Sequence, residues 1–348
     1  MSRNWRRYIS VTLEGGGSSL TFSDFKIRFR INHKELGFPQ NAEVYIYNLA
    51  KETEEKVRKE YKTITIDAGY EDKHGVIFRG EVIQVRTGRE SPTDTYMAVV
   101  AKDSEQAHNY SVTSTTVPAG STYRDQVDKI LEAMREFKVT AGQIDDLGSK
   151  KMPRSRVLHG MSRDLLRSIA FATGTSWHIM EGKLNIVKND GHLSGGPIVY
   201  NSGTGLIGRP EQTIEGIHAR FLLNGELKPL SRVKIDQGSI NQAAFSPAYL
   251  AEVTNSQFRQ GDGNNPAGNL SLADDGIYKI LTVDHVGDSR GPPWYTDVIC
   301  IKADGTIPIA LAQRGIATYD LQTDGQAPAS QLPGAIQGTP SGRAAGPV

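Results

Sequence analysis

A strict alternation of apolar and basic residues at 25–31 is the sequence feature that most constrains the fold. The odd positions hold Phe25, Ile27, Phe29 and Ile31, and Lys26, Arg28 and Arg30 lie between them. Successive side chains of a β-strand point to opposite faces, so this pattern predicts a strand with one buried and one solvated face. Similar stretches predict strands at 44–47, 63–66, 75–86 and 95–102, and charged helix formers predict one short helix at 51–60.

The middle of the chain changes to a helical period. Thr122 with Asp125 three residues later predicts a capped helix start, and a second apolar stripe predicts a helix at 162–173 that ends at Gly174. Two short apolar runs around 181–182 then predict a β-hairpin. This segment therefore reads as a small α/β insertion.

Period two returns after residue 197, and it carries an internal repeat. Residues 63–67 resemble 232–236, the strand that starts at 75–78 resembles the one at 276–278, and 100–103 resemble 301–304. Turn-rich loops of similar length separate the matching strands. A repeat of this kind predicts a duplicated β module.

We therefore expect a mainly β fold in which an α/β segment separates two antiparallel β-barrel or sandwich modules. The predicted domains are a first β module at 1–104, the α/β domain at 105–196, and a second β module at 197–310. The second module contains a long insertion at 237–275, rich in Asn, Gly, Ser and Ala. Residues 311–348 are expected to form an extended tail rich in Pro and Gly, because they offer little apolar area to bury.

Composition restricts the cellular setting. Of 348 residues, 40 are Lys or Arg and 39 are Asp or Glu, so the net charge is +1 and bulk charge does not imply a large polyanion-binding surface. No apolar run reaches the roughly 18–20 residues of a membrane span, and no apolar stretch follows the basic N-terminus. A single cysteine, Cys300, excludes an internal disulfide framework. These features predict a soluble protein of a reducing compartment, without a membrane anchor or secretory signal.

A search for catalytic motifs is negative. The sequence has no Walker A loop, no His-Glu-x-x-His and no Gly-x-Ser-x-Gly, and the eight histidines lack metal-ligand spacing. Residues 203–208 match Gly-x-Gly-x-x-Gly, but a strand pattern follows instead of the helix that a dinucleotide site needs, which favours a turn. Cys300 is interpreted as a small buried hydrophobe, and the adjacent Asp145 and Asp146 as a solvated turn. We therefore predict no catalytic, cofactor-binding or metal-binding residues and no cofactor.

Three groups of side chains keep a functional interpretation beside a structural one. Lys26, Arg28 and Arg30, and a cluster of Arg3, Arg6 and Arg7 around Trp5, fit either solvated surfaces or contacts with an acidic partner. Trp177, Trp294 and Tyr295 fit either loop packing or stacking on a sugar ring. Nucleic-acid recognition is disfavoured, because it would need a further basic patch or a base-stacking platform beside these groups.

Several segments resemble the central hub proteins of phage tail baseplates, in the tail-tube-like family of contractile-tailed phages. They are residues 8–13, 25–30, 41–49, 160–166, 173–177, 201–208 and 210–212, within a resemblance that covers about 8–305. The resemblance implies two tail-tube-like modules per chain and a homotrimer at the tail tip. Six near-equivalent modules would stack on a six-fold tail tube, and the opposite, three-fold face would hold a central spike.

The resemblance also implies a role and partners. We expect a non-enzymatic virion protein, assembled in the host cytoplasm, through whose channel DNA passes without specific binding. The expected partners are the tail tube protein, the central spike, other baseplate proteins and the tape measure protein, with 237–275 and the tail reaching other baseplate proteins. Two alternatives stay open, namely a cell-wall-degrading enzyme of the tail tip and a glycan- or receptor-binding tail protein.

Overall fold

The computed structural model describes residues 6–33, 37–201, 203–213, 216–236, 240 and 276–303. The predicted tail at 311–348 and, apart from Ile240, the predicted insertion at 237–275 lie outside the described residues. Among the described residues, none of the helices has the length and apolarity needed to cross a membrane.

The first hundred residues form seven strands and one helix. They are β1 (Arg7–Gly15), β2 (Ser18–Phe22), β3 (Ile27–His33), β4 (Asn41–Tyr47), α1 (Lys51–Glu60), β5 (Thr63–Tyr70), β6 (Lys73–Arg89) and β7 (Thr95–Lys102). The alternation at 25–31 becomes β3, where Ile27, Phe29 and Ile31 are buried and the arginines between them are exposed. The predicted helix at 51–60 is confirmed; Val57 anchors it to the core.

The middle segment contains the remaining helices and two small sheets. Its elements are α2 (Glu105–Tyr110), β8 (Val112–Val117), α3 (Tyr123–Met134), a 3-10 turn (Arg135–Phe137), β9 (Thr140–Ile144), β10 (Arg156–Met161), α4 (Ser162–Thr173), β11 (Thr175–Met180) and β12 (Lys183–Lys188). The predicted cap of α3 is confirmed, because Thr122 and Asp125 exchange side-chain and backbone hydrogen bonds. Gly174 ends α4 at φ 64°, a left-handed conformation that glycine adopts without strain.

The last part returns to strands. They are β13 (Ile198–Tyr200), β14 (Leu206–Thr213), β15 (Gly216–Leu222), β16 (Arg232–Ile235), β17 (Ile277–Asp288) and β18 (Trp294–Lys302). In the described part of the chain, thirteen strands form one sheet whose main path runs β14-β15-β18-β17-β3-β4-β7-β6-β5-β1-β2. The predicted fold class is thus confirmed: the chain is mainly β, with an α/β segment between two antiparallel β regions.

Four apolar cores of the described residues follow this organisation, and the smallest is shared by the middle segment and the last part of the chain. One lies under the first β region and includes Leu223 and Trp294 from the last part of the chain; a second lies within 107–186, and a third within 200–300. Lys279 of β17 links the last part of the chain to the segment that follows β12. Its buried ammonium donates to the backbone oxygens of Asn189 and Gly191, each at 3.0 Å. The domain boundaries themselves stay a prediction.

The strand connections repeat between the two β regions. The path β3-β4-β7-β6-β5 in the first has the same neighbour order as β14-β15-β18-β17-β16 in the second. Both long strands contain a bulge, an extra residue opposite the partner strand, at Ile83 in β6 and at Leu281 in β17. Two copies of one connectivity, each with the same local defect, support the predicted duplication.

The bulges also correct the alignment predicted from sequence. They match Ala101 with Cys300, because each is the partner of the residue just before its bulge. The predicted match of 100–103 with 301–304 is therefore two residues out of register. Single-strand similarity cannot fix this register, because a two-residue shift leaves the same residues facing the core.

Candidate functional site

The two β regions share one continuous polar face, which we call the open face. It is the side of β14, β15, β18, β17, β3, β4, β7 and β6 that points away from the apolar cores. The alternation that buries Phe29 and Val283 turns their neighbours Arg28, Arg30 and Asp284 to this side. The strand pairing β17–β3 makes the face continuous, because it hydrogen-bonds the second β region directly to the first.

Cross-strand ion pairs occupy the centre of the open face. The Arg220 guanidinium makes two hydrogen bonds to Asp297, with Nε–Oδ1 at 2.6 Å and Nη2–Oδ2 at 2.9 Å. Arg30 Nη2 lies 3.6 Å from Asp284 Oδ2. The hydrogen bond to Asp297 raises the pKa of Arg220, which is the expected effect of a carboxylate on a cation.

Arg28 is held from several sides. Its guanidinium lies 2.9 Å from Glu90, donates to the Tyr47 hydroxyl at 2.8 Å, and lies 4.0 Å from Asp288. The basic row predicted at 26–30 therefore exists, but Arg28 and Arg30 already contact carboxylates of the same chain. Lys26 lies over the Tyr47 ring at 4.3 Å. Arg28 and Arg30 therefore do not support the interpretation of this row as a contact surface for an acidic partner.

Two strand edges beside the open face lack a partner in the described part of the chain. Strand β14 pairs on one side with β15, and residues 83–89 of β6 pair on one side with β7. Strand β5 covers the other side of β6 along 73–81. Each of the two edges carries a partly exposed isoleucine, Ile207 at 38% and Ile83 at 47%. Unpaired backbone groups make such edges sites of strand addition.

The candidate sugar-stacking aromatic Trp294 is buried, which corrects that interpretation. Its side chain is 4% exposed, its indole nitrogen donates to the Gly69 oxygen at 3.0 Å, and the Arg7 guanidinium lies 5.3 Å from its ring centroid. Trp177 is also buried, within the core of the middle segment. Tyr295 lies on the open face under Arg220, at 4.0 Å from ring centroid to guanidinium. These rings cannot together form a surface platform.

The other candidate residues occupy structural positions. Cys300 is fully buried, and burial raises the pKa of its thiol, as expected for an inert packing residue. Asp145 accepts hydrogen bonds from the Lys188 backbone N–H and the Gln143 amide, and Asp146 accepts one from the Gly148 backbone N–H. After the turn at 203–205, Gly208 lies inside strand β14, so no helix N-terminus faces a phosphate there.

The basic N-terminal cluster is only partly described. Arg6 lies 3.6 Å from Glu71, and Arg7 donates to the backbone oxygens of Asp288, Gly291 and Pro292. Arg3 and Trp5 lie outside the described residues. Arg7 thus stabilises the turn before Trp294.

Sequence reasoning missed the acidic half of the open face. Asp284, Asp288 and Asp297 alternate with core residues in their strands, which is the same signal that identified the basic row. Their function depends on partners more than sixty residues away, so no local motif marks them.

Comparison with known protein families gives one match. The model of the family described as baseplate hub gp41 matches residues 8–251. A comparison with curated proteins found no match.

Solved structures with a similar fold come from phage tails and a secretion system. The 43 kDa tail protein of prophage MuSo2 from Shewanella oneidensis is 9% identical, with 85% of this chain and 99% of that one covered and a TM-score of 0.47. A tail protein from Neisseria meningitidis MC58 is 12% identical, with 86% and 97% covered and a TM-score of 0.48. A component of the type VI secretion system from E. coli is 11% identical, with 80% and 73% covered and a TM-score of 0.45.

The family match spans most of the sequence and includes the first β region, the whole middle segment and strands β13 to β16. The chain belongs to the baseplate hub gp41 family.

Proposed function

We propose that this baseplate hub acts as a homotrimer that joins a six-fold tail tube to a central spike, without enzymatic activity. Family membership gives it a structural role in the baseplate of a phage tail. The trimer, the tube junction and the channel are what the resemblance to phage tail hub proteins implies.

The repeated strand order carries this proposal. One chain contains two β regions of the same connectivity, joined edge to edge in one sheet. Three such chains would present six near-equivalent units, which match a six-fold ring on one side, while chain symmetry stays three-fold. A closed ring also removes the two unpaired edges, which would otherwise favour aggregation. In this arrangement 1–104 and 197–310 would be the tube-like modules.

The open face would then form the wall of the channel. DNA binds proteins mainly through contacts between phosphates and Lys or Arg. Here Arg30 and Arg220 already face Asp284 and Asp297. A phosphate would have to displace a carboxylate that is held in place by the sheet, so the wall lets DNA pass without holding it.

The remaining partners are proposed from the role. The tail tube protein would stack on the six-fold side, the spike on the three-fold side, and the tape measure protein would end in the channel. Residues 237–275 and 311–348 would reach other baseplate proteins. Assembly would take place in the host cytoplasm.

Electron microscopy of the virion, together with the mass of the purified chain, tests the proposal. The expected result is a three-fold density at the junction of tube and spike, whose inner wall consists of strands from both β regions. A chain that is monomeric and absent from purified virions would contradict it. Virions that clear peptidoglycan and lose this activity when a pair of hub carboxylates is substituted would point to the enzymatic alternative.

A further inference from the structure

We propose that the edge of β6 in one copy of the chain pairs with the edge of β14 in the next, and that Arg86 and Glu211 form an ion pair across this joint. The inference rests on the trimer proposed above. It adds which strands and which charges connect the copies.

The structure contains one example of the joint within the chain. Residues 283–288 of β17 pair antiparallel with 28–33 of β3, which connects the second β region to the first. In the repeated order, β17 corresponds to β6 and β3 corresponds to β14. The equivalent joint would therefore pair β6 with β14. These two strands stand at opposite ends of the eight-strand path, so a second copy must supply one of them.

The two bulges align β6 with β17 residue by residue and so show which residue of β6 would enter the joint. Asp284 is three residues after the bulged Leu281, and Arg86 is three residues after the bulged Ile83. Arg86 therefore takes the position of Asp284. Both side chains point to the open face, because Arg86 lies opposite Ala98 and Asp284 lies opposite Asp297.

The strands that pair with β3 and β14 align these two strands in the same way. Arg30 lies opposite Glu43, which lies opposite Val100. Glu211 lies opposite His218, which lies opposite Ile299. Val100 and Ile299 are equivalent, because each pairs with the residue just after the bulge. Glu211 therefore takes the position of Arg30.

The two equivalences place an arginine where the chain has Asp284 and a glutamate where it has Arg30. The charges are exchanged between the two strands, and the pair remains one of opposite charges. Within the chain, Arg30 and Asp284 approach to 3.6 Å across the joint of β3 and β17. At the equivalent joint, the arginine comes from β6 and the carboxylate from β14. In the single chain Arg86 donates to the neutral Gln84 amide oxygen at 2.7 Å, and both Arg86 and Glu211 are exposed. A chance arrangement would pair like charges as readily as opposite ones.

Charge reversal with rescue tests the joint. We expect Arg86→Glu or Glu211→Arg, which places like charges in diagonal contact across the joint, to raise the trimer dissociation constant by about tenfold or more. The double variant restores opposite charges, so we expect it to assemble as the wild type does. Sedimentation over a range of concentrations measures the assembly, and thermal unfolding of each variant verifies that it folds.

Arg79→Glu is the matched control, because Arg79 is an exposed arginine of the same strand in the half that β5 already covers. We expect it to leave the trimer intact. Hydrogen exchange of residues 83–89 should also slow on assembly.

The outcomes separate this inference from the proposed function. If the wild type is a trimer but the single reversals have no effect, or the double variant stays as weak as the singles, the β6–β14 joint is wrong and the trimeric hub stands. A wild-type chain that is monomeric both free and in the virion overturns the joint and the proposed function together.

Discussion

At the level of single residues, the half-buried His33 lies near two buried histidines from other parts of the chain, and both influence its pKa. His33 ends β3, His178 lies in β11 and His285 lies in β17, where its Nδ1 is 2.9 Å from the Thr296 hydroxyl. In the described structure, neither ring nitrogen of His178 has a hydrogen-bond partner. Burial, followed by the neighbouring His285 and His178, holds the pKa of His33 well below its ordinary value.

This arrangement predicts that the protein loses stability in acid. Burial lowers the pKa of His178 and of His285 from 6.5 to about 4. Between these values the unfolded chain binds protons that the folded chain does not, so stability is full above about pH 6.5 and falls as the pH drops toward 4. Asp103 acts in the opposite direction, because burial raises its pKa to about 6. Burial raises the pKa of Glu81 as well, and it lowers the pKa of His108 and His192. Since five histidines of the described structure oppose two carboxyl groups, we expect a net loss.

His178→Leu measures how much one histidine contributes to the loss of stability in acid. The substitution removes a proton acceptor whose ring nitrogens make no hydrogen bond in the described structure, so we expect stability at pH 7 to change little. The free energy of unfolding should fall less between pH 6.5 and 4, by about 3 kcal/mol at most. Denaturant unfolding at a series of pH values gives the slope. The exposed His218→Gln is the control, and an equal slope in the wild type and His178→Leu would refute the assignment.

At the level of elements, Gly287 lies in the pairing that joins the two β regions. It lies in β17 opposite Phe29 of β3 on one side and Trp294 of β18 on the other. A Cβ at this position would lie 2.3 Å from the Phe29 ring and 3.0 Å from the Trp294 ring. The junction of the two regions therefore requires a residue without a side chain.

Gly287→Ala should accordingly weaken the junction. We expect a loss of about 1–3 kcal/mol in the free energy of unfolding, because two packed aromatic rings must move. Gly75→Ala is the matched control, since a Cβ there meets no atom within 4 Å and the residue also lies in a long strand. Urea unfolding compares the two variants; an equal loss in both would mean that the strand tolerates alanine at either place.

Local elements could be predicted from sequence because their causes are local. The alternation in β3, the helix α1, the cap at Thr122 and the stop at Gly174 all depend on neighbours within a few residues. The pairing of β17 with β3 joins residues about 250 positions apart, and alternation alone does not specify which strands become neighbours. The position of Trp294 shows the same limit, because its partner Gly69 is 225 residues away and the local sequence resembles an exposed turn.

At the level of the whole molecule, the balance of charge depends on this distant pairing. The net charge of +1 predicts no large polyanion-binding surface but does not say where the charges lie. The sheet places Arg30 beside Asp284 and Arg220 beside Asp297, in pairs that cross from one strand to the next. At these positions the charges of the open face are neutralised pair by pair, which is a property of the fold.

This neutralisation predicts what happens when the carboxylates are removed. Asp284→Asn together with Asp297→Asn keeps the size of both side chains and leaves two guanidinium groups without their carboxylates. If the open face meets DNA, these groups should bind phosphates, and the slope of log affinity against log salt should become steeper by about 1.8 per chain. Fluorescence anisotropy of a labelled DNA duplex, measured with the assembled protein between low and physiological salt, gives this slope.

A control with the same change in net charge decides whether position matters. Asp128 lies 3.1 Å from Arg124 on α3, and Asp164 lies 3.4 Å from Arg167 on α4, in the middle segment outside the open face. Asp128→Asn with Asp164→Asn should leave DNA binding close to that of the wild type. Equal binding by the two double variants would attribute the effect to net charge alone. It would remove the reason to regard the open face as the wall that DNA passes.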